Sequence, residues 1–196
     1  MLKTLNCGCG KLWIILYYIC KIFHFGTEIY RIIQQNISLF FYIISNMKKI
    51  HKCILTNICL VYKDDQILVI DRKKKDWPGL TFPGGHVEEN EDFQASVIRE
   101  VKEETGLSIR KPILCGIEEF KTKEEDRYLM LYYKTDKFTG KIRSSAEGEV
   151  FWINKNDMDK YKLSLDLKRI YKVMMSDELS EIIYYEKNGK WRSKIV

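Results

Sequence analysis

The sequence is short of the patterns that announce the commoner metal, membrane and nucleic-acid proteins. It has three histidines and six cysteines in 196 residues. None of Cys7, Cys9, Cys20, Cys53, Cys59 and Cys115 forms a CxxC pair, which excludes the usual structural zinc sites. Cys7-Gly8-Cys9-Gly10 is read as incidental. Cys53, Cys59 and Cys115 sit in apolar, strand-like runs and are expected as buried free thiols, which fits a reducing cytoplasm. The apolar runs at 12–20 and 37–44 fall short of the roughly 18 residues that a membrane-spanning helix needs. Internal repeats and low-complexity linkers are absent. Acidic residues are scarce only at the start. Residues 1–50 hold six bases (Lys3, Lys11, Lys21, Arg31, Lys48, Lys49) against the single acid Glu28. The other 27 bases and 26 acids nearly cancel, so the body carries no field suited to a nucleic-acid polymer.

Residues 1–50 are rich in Ile, Phe, Tyr, Lys, Asn and Leu and poorly patterned. No small-residue cleavage site marks them as a secretory signal. Bases flanking aromatic and aliphatic residues would suit a membrane-surface anchor. The preferred expectation is that they are translated upstream DNA outside the fold, with a functional chain beginning near Met47 or Leu55 and a domain over 51–196. Membrane contact is then expected only if 1–50 is real.

The body is expected to mix strands and helices in layers, an α/β or α+β class. Runs at 54–62 and 66–71 read as a hairpin about Lys63-Asp64-Asp65. A loop at 72–90 follows, then a helix at 91–105 with Asn90 as N-cap and Gly106 at the stop. Strands are expected at 113–120, 128–134 and 149–153, and a helix at 164–175. Residues 182–186, Asn188-Gly189 and 190–193 read as a terminal hairpin on a type I′ turn.

The chemistry concentrates around the first helix. At 100° per residue, Glu100, Glu103 and Glu104 share a sector of about 100°. Ala95, Ile98 and Val101 form a separate apolar stripe able to dock on a sheet. Glu100 and Glu104 stand at i,i+4, a like-charge spacing that disfavours an isolated helix by about 0.2–0.5 kcal/mol. Such faces are often simply solvated. Here, however, Pro83-Gly84-Gly85 precedes the helix and allows close backbone approach, while Arg99 can orient a carboxylate or hold a phosphate. Hard divalent cations would supply the missing positive charge, because Mg²⁺ prefers oxygen ligands.

The stretch Gly85-His86-Val87-Glu88-Glu89-Asn90-Glu91, followed by Arg99-Glu100-Val101-Lys102-Glu103-Glu104-Thr105-Gly106-Leu107, resembles the Nudix box, Gly-x5-Glu-x7-Arg-Glu-U-x-Glu-Glu-x-Gly-U with U aliphatic, at every defined position. The resemblance implies a Nudix α/β/α sandwich with a mixed β-sheet. It also implies hydrolysis of a nucleoside diphosphate linkage with Mg²⁺, or Mn²⁺ in its place. By the same resemblance the metal ligands are Glu100, Glu103, Glu104, Glu147 and Gly85. The catalytic set is Glu100, Glu103, Arg99 and Glu147, with Glu100 and Glu147 as candidates for the proton acceptor and Glu149 as rival to Glu147. Gly85, Glu91 and Gly106 are structural.

The flanking segments 55–62, 76–88, 114–117 and 179–185 resemble the MutT-like 8-oxo-dGTP diphosphatases of Gram-positive bacteria, especially the streptococcal type. That closer likeness implies cleavage of an oxidised purine nucleoside triphosphate to monophosphate and pyrophosphate, with Asn57, Trp77, Phe82 and Asp166 around the base. Leu165 stands where some relatives carry a second acid. The alternatives are a Nudix hydrolase of another nucleotide (other triphosphates, ADP-ribose, dinucleoside polyphosphates) and a non-catalytic nucleotide-sensing module. The expected partner is a small nucleotide, in the cytoplasm.

Overall fold

The computed structural model describes residues 52–73, 78–122 and 126–196. The expectations attached to residues 1–50, and the one attached to Trp77, lie outside the described residues.

The chain opens with the expected hairpin, β1 (Cys53–Lys63) and β2 (Gln66–Arg72). Asp64 at φ 52° makes the turn. The two strands pair only next to that turn, at Tyr62↔Ile67 and Lys63↔Gln66. Beyond it they part. β1 runs parallel to β6 (Arg127–Thr135) from Cys53↔Arg127 to Val61↔Thr135. β2 is flanked by β3 (Gly79–Thr81) and β8 (Gly148–Asn154), both antiparallel. β5 (Ile113–Lys121) continues the first leaf beyond β6, followed by β9 (Glu181–Lys187) and β10 (Lys190–Ile195). The whole is one mixed, eight-stranded sheet that splits into two leaves at the first hairpin. A two-stranded ribbon, β4 (Ser108–Ile109) with β7 (Phe138–Thr139), stands apart.

Strand alternation divides the core in two. Ile58 and Leu60 of β1 join a cluster with Ile170, Val173 and Met174 of helix α2 (Leu167–Met175). Cys59 and Val61 join another with Val97 and Val101 of helix α1 (Phe93–Thr105). Helix, sheet and helix form the three layers of an α/β/α sandwich. Fully burying a valine is worth about 1.5–3 kcal/mol, so Val97 and Val101 anchor α1 firmly. Among the described residues no helix is long and apolar enough to cross a membrane.

Several local expectations are corrected. The N-cap of α1 is Asp92, whose side chain accepts from Ala95 N at 2.8 Å. Asn90 instead makes a left-handed turn at φ 67°. Glu91 is therefore in the loop, not in the helix. The buried face of α1 is Ser96, Val97, Val101 and Thr105, with Ile98 at its margin and Ala95 exposed. α2 starts at Leu167, because Asp166 at φ 59° cannot continue a right-handed helix. Of the three described cysteines, all free, Cys59 is buried and Cys115 half-buried, but Cys53 is exposed at the first position of β1. The stop at Gly106 (φ 79°) is as expected. So is the terminal type I′ turn, with Asn188 at φ 55° and Gly189 at 69°.

Candidate active site

Because β2 leaves β1 so early, the outer edge of β1 is open, and residues 83–87 occupy it. Cys59 N donates to Pro83 O (2.8 Å), Asn57 N to Gly85 O (2.8 Å) and Val87 N to Leu55 O (3.0 Å). A β-carbon at Gly84 would lie 2.1 Å from Asn57 O, so only glycine permits this approach. A β-carbon at Gly85 would meet the Glu100 carboxylate at 2.5 Å. The two glycines thus press the loop on the strand and leave room for an acid from the helix above.

Arg99 is the hub of the acidic face. Its Nε and Nη2 grip Glu91 in a two-pronged pair, each at 2.8 Å. Nη1 donates to Glu100 Oε1 (2.9 Å) and Glu103 Oε2 (3.3 Å), and Nη2 also reaches His86 O (3.1 Å). The guanidinium holds the Glu91 carboxyl down at about 2. Glu91 therefore anchors Arg99, and Arg99 aims Glu100 and Glu103.

Glu104 has a different environment. It is half-buried and accepts from Gly84 N at 2.9 Å. Burial pushes its carboxyl up to about 7, and the negative charges of Glu100 and Glu147 add to that effect. The Gly84 N–H and the Arg72 guanidinium oppose it. This places Glu147 electrostatically within the group and brings in Arg72, the last residue of β2, which the sequence alone did not suggest. The rival Glu149 is cross-strand from Asp71. It shares a face with Phe151 and lines an open pocket of about 340 Å³ with Asp71, Leu80, Phe151, Tyr161 and Lys162, on the side of the leaf away from α1.

The donors fit a hard divalent cation. Every side chain offers carboxylate oxygen, and the Glu100 carboxylate fills the hollow that a Gly85 side chain would occupy. A bound cation would offset the burial and mutual repulsion that raise Glu104. As the side chains lie, no three carboxylates, imidazoles or thiols among the described residues close around a common ion position. Glu103 is the outlying member, 60% exposed and turned to Arg99.

Of the residues expected around the base, the three described ones, Asn57, Phe82 and Asp166, do not lie together. Asn57 is 1% exposed and lies beneath α1, its Nδ2 donating to Ser96 Oγ at 2.8 Å. Its side chain faces α1. Phe82 is 2% exposed and belongs to the α2-side core. Asp166 accepts from the Tyr184 hydroxyl and from Arg169 Nη1 (3.4 Å), so its carboxylate is already engaged. Beside it Glu118, 5% exposed, accepts from the Tyr132 hydroxyl. This buried polar group was not anticipated. Its one sequence signal is the acidic pair Glu118-Glu119 in a run otherwise typical of a strand. Leu165 is exposed.

Comparison with known proteins shows the family and the fold. The family model of the NUDIX domain matches residues 55–174. The chain is 31% identical over 125 residues to the uncharacterised Nudix hydrolase YvcI of Bacillus subtilis, a match covering 61% of this chain and 78% of that one. It is likewise 31% identical over 123 residues to an ADP-ribose pyrophosphatase of Methanocaldococcus jannaschii, covering 59% and 69%. A crystal structure of a MutT protein from Bacillus halodurans has the same fold, with a TM-score of 0.61 at 24% identity, covering 72% of this chain and 97% of that one.

Proposed function

This chain belongs to the NUDIX family, and from that premise we propose that it hydrolyses the diphosphate linkage of a small nucleotide with the help of Mg²⁺ or Mn²⁺. The observation that carries the reading is the Glu100 carboxylate lying over Gly85, with Glu104 beside it and Arg99 fixing Glu100 from the other side. A diphosphate is anionic and repels nucleophiles. When bound, the metal neutralises the phosphate oxygens and lowers the pKa of water. The chain's own part is to hold the carboxylates. Arg99 occupies Glu100 Oε1 and leaves Oε2 for a ligand. Gly84 N occupies Glu104 Oε2 in the same manner. Glu100 and Glu147 remain the proposed proton acceptors.

For the substrate, the likeness of segments 55–62 and 76–88 to MutT-like enzymes supports 8-oxo-dGTP, cleaved in the cytoplasm to monophosphate and pyrophosphate so that the oxidised base is kept out of DNA. The relative named ADP-ribose pyrophosphatase supports a second reading, ADP-ribose. A purine recognised by Asp166 would share that carboxylate with Tyr184 and Arg169. The test is a panel of 8-oxo-dGTP, dGTP, ADP-ribose and dinucleoside polyphosphates with Mg²⁺. A clear preference for 8-oxo-dGTP over dGTP supports the first reading. Equal rates on those two, or faster release of AMP from ADP-ribose, overturn it. Failure to hydrolyse any of the panel with either metal counts against the hydrolase itself.

A further inference from the structure

Asn57 interrupts an apolar pattern. The next residues on its face of β1, Cys59 and Val61, are fully buried and pack against α1. Asn57 is equally buried but carries an amide. Its Nδ2 donates to Ser96 Oγ at 2.8 Å, while its Oδ1 has no hydrogen-bond partner among the described residues. A buried acceptor left unpaired is costly, and an apolar side chain there would avoid the cost. What the amide contributes must therefore be sought through Ser96.

Ser96 is fully buried on the inner face of α1. With its oxygen accepting from Asn57, the hydroxyl proton is directed outward. It lies 3.4 Å from His86 O, the carbonyl that Arg99 Nη2 also reaches at 3.1 Å. Glu91 and His86 O are the two groups that fix Arg99, and Arg99 in turn holds Glu100 and Glu103. The backbone of Asn57 meanwhile holds Gly85 O. One residue thus ties both halves of the site to β1, the glycine loop by its main chain and the helix by its side chain.

We propose that Asn57 and Ser96 are positioning residues that set the place of Arg99, and through it of Glu100. This rests on the reading of the site as a metal-dependent hydrolase. The chain of contacts runs from the sheet through Arg99 to Glu100, so its effect falls on metal binding and turnover.

The test uses the full chain with Asn57→Leu, Ser96→Ala and the double variant. Three quantities are read: the Mn²⁺ dissociation constant of the protein alone, kcat and KM on whichever nucleotide the wild type cleaves, and the Arg99 Nε–Hε NMR resonance without metal or substrate. Each single variant is expected to weaken Mn²⁺ binding about fivefold and lower kcat about tenfold, with KM within twofold of wild type. The double variant should be no worse than the poorer single, because both act through one hydroxyl. The Arg99 resonance should move in every variant. An unmoved Arg99 resonance overturns the proposal, as do multiplicative effects in the double variant or a change confined to KM. If the wild type neither binds Mn²⁺ nor cleaves any nucleotide while the Arg99 resonance still responds, the hydrolase reading fails and the positioning link stands. A variant that unfolds is replaced by Ser96→Cys, which keeps a weak donor of similar size and should lie between Ser96→Ala and wild type.

Discussion

The α-carbon of Gly85 lies against the carboxylate of Glu100, so closely that a β-carbon there would stand 2.5 Å from both Cδ and Oε1. The contact fixes how the loop and the helix face each other. Gly85→Ala must push the carboxylate aside, since the loop backbone is pinned to β1 by Asn57 N. A displacement of about 1 Å at a reacting group costs roughly 100-fold. The expected result is a fall of that order in kcat and weaker Mn²⁺ binding, read by steady-state kinetics and calorimetry. Turnover within threefold of wild type would show that Glu100 is not placed by this contact.

Glu103 separates two roles. It is 60% exposed and its contact in the structure is with Arg99 at 3.3 Å. If it serves only that exposed pair, Glu103→Gln should change little, because such pairs are worth about 0–1 kcal/mol. If it turns to bind metal, the melting temperature should stay within about 1–2 °C while turnover falls by about 100-fold or more. The second outcome is expected. Near-wild-type turnover would remove Glu103 from the metal site.

The sequence marked α1 and its acids well because that information is local. Fixed spacing puts Glu100, Glu103 and Glu104 on one face, and Gly106 ends the helix where a left-handed residue is needed. The N-cap was misplaced by two residues because Asn90 and Asp92 are both good caps, and the choice depends on Glu91 leaving the helix to meet Arg99. The base pocket was illegible for a different reason. Asn57, Phe82 and Asp166 have side chains that suit a nucleobase, but partners distant in sequence decide where they point. These are Ser96 for Asn57, the α2 core for Phe82, and Tyr184 for Asp166. Arg72 went unnoticed because the approach of β2 to α1 is a tertiary fact.

Glu104 gives a pH prediction. Its carboxyl is raised to about 7 by burial first and then by Glu100 and Glu147. An acid whose folded value lies above its unfolded one keeps its proton in the fold. Ionising it therefore lowers stability as pH rises from about 4.5 through 7. Without metal, the melting temperature should drop across that window. Mg²⁺ favours the ionised form, so its stabilising effect should be larger at pH 8 than at pH 5.5. Scanning calorimetry with EDTA and with Mg²⁺ checks both. An Mg²⁺ effect independent of pH would mean that Glu104 is not part of the metal site.

Glu118 offers the same logic away from the metal. It is 5% exposed, and burial raises its carboxyl above the usual range, with Asp166 adding to the rise. The Tyr132 hydroxyl and Arg169 oppose that rise without cancelling it. The protein therefore gains from a proton on Glu118 and loses stability as pH climbs above the ordinary carboxyl range. Glu118→Gln keeps an acceptor for Tyr132 and removes the charge. At pH 8 the variant should melt roughly 2–4 °C higher, equivalent to about 1 kcal/mol. Near pH 4, where the wild-type acid is protonated, the two should melt together. Thermal melts at both pH values decide it. If Glu118→Gln is instead the less stable protein at pH 8, the ionised carboxylate is held by Tyr132 and Arg169 strongly enough to outweigh its burial. The polar group around Asp166 would then be a stabilised anionic site.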